Sequence, residues 1–456
     1  MHQQDGTLHR QFYTNTIRTI HELLETPDDL CFVYVQHAFS PCIDHLACIG
    51  DRLAAVIPKG SSSHGNPTVV QQLQQLFPGK VLSNVNRRHL QDPAYAVQLL
   101  KHATRGRPFA ILEYGAYFAP SAIAIATDPS LGQRLVGFVE GTENGIKGSG
   151  DGLMPGYRHV AAHVPCPILS KSKSAIKKIM DLEIGPAIVD STDSLLRKRV
   201  GCRLRHWRGT VGVVGLGSIG QGVLRALGNY NINPLVYDTG LPMMAEMAYR
   251  QYNVANQTAI LENSDILFLN TGNCFLSQQP DLLAHIKEGA ILVLCTSGDV
   301  EAGLPQLIAS GCLVKVDRES DDILAVYTTA DGKRIRVLLG NDQIGQAPNM
   351  VIEDGSGSPA NLMSDMEFYA LGAYLSSKQN SLNGYSISES PVILQELIIR
   401  EWMKVFYPDA VSKSASGAQS FVRFRENGSP MSPDANSSNS GFDYRRHQAL
   451  CEEQLD

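Results

Sequence analysis

Gly209–Leu227 reads GTVGVVGLGSIGQGVLRAL. Thr210–Val214 is a short β-branched run of the kind buried in a parallel sheet, and an amphipathic helical pattern opens at Ser218. Between them Gly215, Gly217 and Gly220 keep the G-x-G-x-x-G spacing. The first glycine permits a tight turn, the second lets the backbone approach a pyrophosphate, and the third lets the helix pack closely on the strand. The backbone N–H groups of Ser218, Ile219 and Gly220 then point at the phosphates with the positive end of the helix dipole behind them. A second strand, Pro234–Tyr237, ends at Asp238, which stands 23 residues after Gly215. An acid there binds a ribose diol and repels a 2′-phosphate, so the expected cofactor is NAD.

The pattern around this unit is α/β. Strand-like runs at Leu30–Gln36, Leu53–Pro58, Phe109–Tyr114 and Leu135–Phe138 alternate with helical segments such as Asn66–Leu76 and Tyr95–Ala103. Further strands are expected at Ile266–Asn270, Ala290–Cys295 and Leu313–Val316, each after a helix-length stretch. Ser170–Arg199 reads as helix broken near Gly185–Pro186, Gly148–Gly156 as a glycine-rich loop, and Asn361–Tyr407 as a helix-rich block. The resulting expectation is a doubly wound parallel-sheet (Rossmann) NAD domain at 196–354 and a second, discontinuous α/β substrate domain from 1–195 and 355–407. Residues 408–456, rich in Ser, Gly, Asn and Pro, form an expected disordered tail.

Composition narrows the function. The 456 residues carry a net charge of −6, with 43% apolar and 18% charged residues, and no basic stripe with interleaved aromatics, which speaks against a nucleic-acid partner. Nine cysteines are scattered without a CxxC pair, so neither a disulfide framework nor a metal site is expected, and a reducing cytoplasm is the simple location. No stretch of about 18 uninterrupted apolar residues exists to span a membrane.

Among dinucleotide enzymes, 2-hydroxy-acid dehydrogenases place such a unit in mid-chain. They need an arginine to grip the substrate carboxylate and a proton-transfer pair. The segment after the Ala290–Cys295 strand is TSGDVEAGLPQL, and no arginine occurs from Asn270 to Val316, which counts against that class. Other stretches, in order, resemble S-adenosyl-L-homocysteine hydrolase: GFVEGTENGI (Gly137–Ile146), the segment ending Lys177–Asp181, GLGSIGQG, LFLNTGN (Leu267–Asn273), GDVEAGL (Gly298–Leu304) and GSPANLMSD (Gly357–Asp365). The resemblance covers about residues 30 to 375. It implies a bound NAD that oxidises a hydroxyl of a small-molecule substrate, a nucleoside or sugar derivative. It also implies homo-oligomers whose C-terminal ends complete a neighbour's cofactor site, where FDYRRH (Phe442–His447) faintly resembles the family's terminus.

Carried over by resemblance, Lys177 assists hydride transfer with Asp181 orienting it, His37 or Glu113 serves as base, and Thr142, Thr271, Gly272 and Asn273 touch the cofactor. Lys177 and Asp181 lie one helical turn apart, so they are either a site pair or a solvated ion pair, and Lys173 could take the lysine's place. His37, at a strand end, is either a substrate group or a core histidine. Much of the family's chemistry is replaced: Gly141, Ser297 and Ser358 stand where it has a glutamate and two histidines, and Tyr114 where it has an aspartate. Three expectations follow: an enzyme of that superfamily with a different substrate, a non-catalytic NAD-binding relative, or a 2-hydroxy-acid dehydrogenase-like oxidoreductase.

Overall fold

The computed structural model describes residues 2–60, 67–148, 155–295, 302–320, 323–338, 359–377 and 381–412. The interior of the Gly148–Gly156 loop, Gly298, Gly357, Ser297, Ser358, the end of the NAD domain at 339–354 and the tail beyond Ser412, with Phe442–His447, lie outside the described residues.

Five strands come first: β1 (Cys31–Gln36), β2 (Leu53–Pro58), β3 (Phe109–Glu113), β4 (Leu135–Glu140) and β5 (Ile168–Ser170). Eight follow: β6 (Val211–Val214), β7 (Leu235–Tyr237), β8 (Asn253–Val254), β9 (Ile266–Leu269), β10 (Ile291–Leu294), β11 (Leu313–Lys315), β12 (Leu324–Thr329) and β13 (Arg334–Leu338). A last strand, β14 (Ile387–Glu389), returns to the first group. They form two sheets, in the orders β14-β5-β4-β3-β1-β2 and β11-β12-β13-β10-β9-β6-β7-β8. The fold is therefore α/β with a Rossmann-like sheet and a second, discontinuous domain.

The first sheet is parallel throughout. Its strands are buried on both faces, which is why CFVYVQ and LAAVIP read as unbroken apolar runs. Along β1, Phe32 and Tyr34 point into a core shared with the N-terminal helix (His2–Leu24) and the helices Pro359–Ser376 and Val392–Phe406. Cys31, Val33 and Val35 point into the opposite core. The Asn361–Tyr407 block thus holds two helices, as its pattern suggests, plus the short strand β14 between them, whose half-exposed side chains leave no apolar run to read. The second sheet is parallel from β8 to β13, and β11 and β12 add an antiparallel edge.

Ala175–Val200 is one uninterrupted helix, contrary to the break expected at Gly185–Pro186. Proline removes the N–H that would bond the carbonyl of Leu182, four residues back. That carbonyl instead accepts from Arg225 Nη2 at 3.1 Å. Gly185 is used for packing: a Cβ there would strike the backbone of Gly222 and Val223 in the helix Ser218–Asn229. Ser174 caps the start, its hydroxyl accepting from the Lys177 N–H at 2.9 Å, and Gly201 ends the helix in the left-handed region. This linker helix leaves the carboxyl edge of the first sheet and packs on the helix that follows the glycine turn of the second. Among the described residues no helix is long and apolar enough to cross a membrane.

Candidate active site

In open α/β sheets ligands bind beyond the carboxyl ends of strands where the order reverses. The second sheet reverses between β6 and β9, and a cavity of about 440 Å³ opens there. Gly215 has φ +87°, and a Cβ on it would lie 2.7 Å from the Asn270 carbonyl, so only glycine lets β6 and β9 close up. Gly220 is fixed by the same crowding, since its Cβ would strike the Gly215 carbonyl. Gly217 differs: nothing lies within 4 Å of its Cβ position, and it lines the cavity. The helix beginning at Ser218 has no side-chain cap, which leaves the first-turn N–H groups of Ser218, Ile219 and Gly220 free of a side-chain partner.

Asp238, Thr271 and Asn273 also line the cavity. The Asp238 carboxylate braces the turn, accepting from the N–H of Leu216 at 2.7 Å and of Gly240 at 2.8 Å. The Thr271 hydroxyl donates to the Asn273 carbonyl at 2.9 Å, and Gly272 between them sits at φ +61°. Asn270 Oδ1 is buried on the cavity wall without a hydrogen-bond partner. An open glycine cradle, an uncapped helix start and an orphaned acceptor are what a dinucleotide requires, so the residues fit NAD. Thr142 is placed elsewhere. It caps the helix Glu143–Lys147, accepting from Gly145 N–H and donating to Glu140 Oε1. Asn144, two residues on, does reach the loop after β9, with Oδ1 3.6 Å from the Cβ position of Gly272.

The first sheet reverses between β1 and β3. His37 follows β1, Lys59 follows β2, Tyr114 and Gly115 follow β3, and Lys171 follows β5, so one edge gathers five polar or special positions. Lys59 Nζ lies 3.4 Å from His37 Nε2, and its backbone N–H extends the β1–β2 pairing by donating to the Gln36 carbonyl at 2.8 Å. The His37 ring stacks on Phe39 and tilts against Tyr114, each at 5.5 Å between centroids. Burial, with the charges of Lys59 and Lys177 added, holds His37 well below the usual histidine range, so its imidazole is neutral. Burial and then the Arg87 charge bring Lys59 down to about 7, against some support from Glu140. Lys177 and Asp181 form an ion pair across one helical turn, both side chains largely buried.

Lys171 forms the floor. It is fully buried, donates to the Ser364 carbonyl and hydroxyl at 2.5 and 2.6 Å, and lies 4.0 Å above the Phe368 ring. Burial lowers it to about 8, opposed by Glu367 and Asp365. Asp365 accepts from Gln36 Nε2 at 2.8 Å and from the Tyr13 hydroxyl at 3.3 Å, and burial pushes it up to about 6.

Glu113 is turned to a different task. Its carboxyl accepts from the Phe118 N–H and the Tyr157 hydroxyl within the core. Glu140, close by, accepts from the N–H groups of Gly115, Ala116 and Thr142 and from the Thr142 hydroxyl. Of two neighbouring acids, the one with more donors keeps the charge, so Glu113 keeps the proton. Burial and then the Glu140 charge push it up to about 8. His37 and Lys177 therefore share an edge, and Glu113 does not join them. Lys59, Lys171, Arg87 and Asp365 are additions that the sequence reading lacks. The first two each follow a short apolar strand directly, which is a readable signal once carboxyl ends are treated as candidate positions.

Residues 196–303 match the NAD-binding domain of the D-isomer specific 2-hydroxyacid dehydrogenases. A search of curated proteins found no match. Three solved structures show slight likeness. Phosphoglycerate oxidoreductase from Vibrio cholerae O395 is 13% identical over 56% of this chain and 79% of that one, with TM-score 0.30. Apo D-lactate dehydrogenase from Escherichia coli is 12% identical over 58% and 74%, with TM-score 0.32. A Granulicella M. formate dehydrogenase is 15% identical over 41% of this chain and 50% of that one, with TM-score 0.28.

The domain match overturns the expected kinship with S-adenosyl-L-homocysteine hydrolase. Of the stretches behind that expectation, Gly137–Ile146, GLGSIGQG and Leu267–Asn273 hold strand ends and glycine turns, which doubly wound domains share, whereas much of the hydrolase's chemistry is replaced. The cofactor is NAD, and its domain is that of an oxidoreductase family.

Proposed function

We propose that the protein is an NAD-dependent dehydrogenase that interconverts a small 2-hydroxy acid and its 2-oxo acid. The observation that carries this reading is the pairing of two switch points. One is an NAD cavity; the other holds the Lys59–His37 pair; and the linker helix ties their carboxyl edges together. When bound, NAD supplies the hydride acceptor.

In the oxidation direction the substrate hydroxyl gives up its proton as the C2–H leaves. A base is most effective when it titrates near the working pH, and Lys59, held to about 7, does so. Lys59 takes the proton, and neutral His37 beside it accepts a hydrogen bond from the ammonium that forms. The Lys177 ammonium, oriented by Asp181, adds positive field at this edge and helps keep both basic groups unprotonated. The missing arginine between Asn270 and Val316, which counts against the class in sequence, is answered by cations of the first domain.

The test is incubation of the purified protein with NAD and a panel of 2-hydroxy acids, followed by NADH absorbance. Turnover is expected with at least one, and Lys59→Gln lowers kcat by about 10²–10⁴. NAD binding without turnover of any hydroxy acid overturns the proposal and leaves a non-catalytic NAD-binding protein.

A further inference from the structure

We infer that Arg87 grips the substrate carboxylate and so sets the specificity of this site for acids, an inference that rests on the dehydrogenase reading. A 2-hydroxy acid brings a negative charge within a bond of the reacting carbon, and a planar guanidinium is the side chain best shaped to receive it. Arg87 opens the short helix Arg87–Gln91, which Asn86 and His89 fix by a reciprocal capping box. Its guanidinium lies 4.5 Å from the Tyr117 ring centroid, and Nη2 donates to the Gly115 carbonyl. With Nη2 bonded and the guanidinium face against Tyr117, Nε is left buried and without a hydrogen-bond partner. An arginine serving only the loop would have that N–H satisfied, because buried donors are nearly always paired.

Gly115 follows β3 at the β1/β3 reversal, at φ +96°. A Cβ on it would lie 2.8 Å from Arg87 Nη2 and 3.8 Å from Lys59 Nζ. Arg87 and Lys59 therefore converge on one point beside the switch point. The acid that balances them, Glu140, already has both oxygens occupied by Gly115, Ala116 and Thr142. Glu113 holds its proton, so of these two acids only Glu140 offsets Arg87, and a substrate carboxylate supplies the second negative charge when Lys59 takes up its proton. The Arg87 charge is also the largest electrostatic influence lowering Lys59. Neutralising it, by mutation or by a bound carboxylate, raises the affinity of Lys59 for a proton.

The experiment compares a 2-hydroxy acid with its neutral 2-hydroxy amide in wild type, Arg87→Met and Arg87→Lys, with thermal melts to confirm folding. Arg87→Met is expected to raise KM for the acid by about 10- to 100-fold, leave KM for the amide unchanged, and move the kcat–pH profile to higher pH. Arg87→Lys, which keeps the charge without the fork, recovers the pH profile and part of the KM. An acid-to-amide preference that survives Arg87→Met overturns the inference, as does an equal loss for both substrates with an unmoved pH profile. If Arg87→Met does not fold, Arg87→Lys decides: an unchanged KM for the acid overturns the inference. Failure of wild type to oxidise any hydroxy acid removes the dehydrogenase reading itself, an outcome separate from these.

Discussion

Glu113→Gln tests the assignment of Glu113 to the fold rather than to the chemistry. Glu113 is completely buried at the end of β3, with Phe118 N–H at 3.0 Å and the Tyr157 hydroxyl on its carboxyl. Its carboxyl is pushed up to about 8, from an ordinary value near 4.5, by burial and by the charge of Glu140. A group whose folded value is raised contributes stability that is complete below its unfolded value and is lost as pH rises through the folded one. Wild type therefore loses stability between pH 4.5 and 8 on account of this group. At ~1.4 kcal/mol for each pH unit, the loss is at most about 5 kcal/mol. Glutamine matches the protonated carboxyl in shape, can accept from Phe118, and can donate to a reoriented Tyr157 hydroxyl, yet it cannot ionise. Urea midpoints at pH 5.5 and pH 8.5 make the comparison. The variant is expected within about 1 kcal/mol of wild type at pH 5.5, and more stable than wild type at pH 8.5 by about 2 kcal/mol or more. A variant with the same pH slope as wild type would show that Glu113 is ionised in the folded state and that its assignment is mistaken.

The two glycines of the dinucleotide turn should separate cleanly. Gly217→Val, with open space at its Cβ and a place on the cavity wall, is expected to leave the melting temperature unchanged while weakening NAD binding measured by calorimetry. Gly220→Val, whose Cβ meets the Gly215 carbonyl, should destabilise the domain by about 1–3 kcal/mol or more in chemical denaturation. Arg225→Met strips the donor from the Leu182 carbonyl that Pro186 leaves open, and should cost about 1 kcal/mol in the same assay. Gly185→Val should force the linker helix away from the helix beginning at Ser218 and lower thermal stability by several degrees; an unchanged melt would mean that the crossing at Gly222 is not tight.

What was legible in the sequence was what local pattern determines. β1 to β4, β6, β7, β9 and β10 stand within a residue or two of their expected positions, because buried parallel strands leave unbroken apolar runs. The glycine spacing at 215–220 marked the turn at the second sheet's cavity for a similar reason: Gly215 and Gly220 each answer a close backbone contact, and Gly217 lines the cavity. Pro186 misled because the donor that rescues the helix, Arg225, is distant in sequence and belongs to another element. The switch-point site was half legible. His37 and the Lys177–Asp181 pair were in view, but Lys59 and Arg87 carry no motif around them, and only sheet order brings them to Gly115. Kinship was misjudged because motif order was weighed above the identity of the chemical residues, whereas the order is a property of the doubly wound fold.

Transfer of the hydrogen itself tests the central claim most directly. A 2-hydroxy acid deuterated at C2 is incubated with the protein and NAD, and the recovered nicotinamide is weighed by mass spectrometry. Deuterium is expected on the reduced cofactor from wild type, with the yield falling sharply in Lys59→Gln. Reduced cofactor free of deuterium, or full transfer without Lys59, would contradict it.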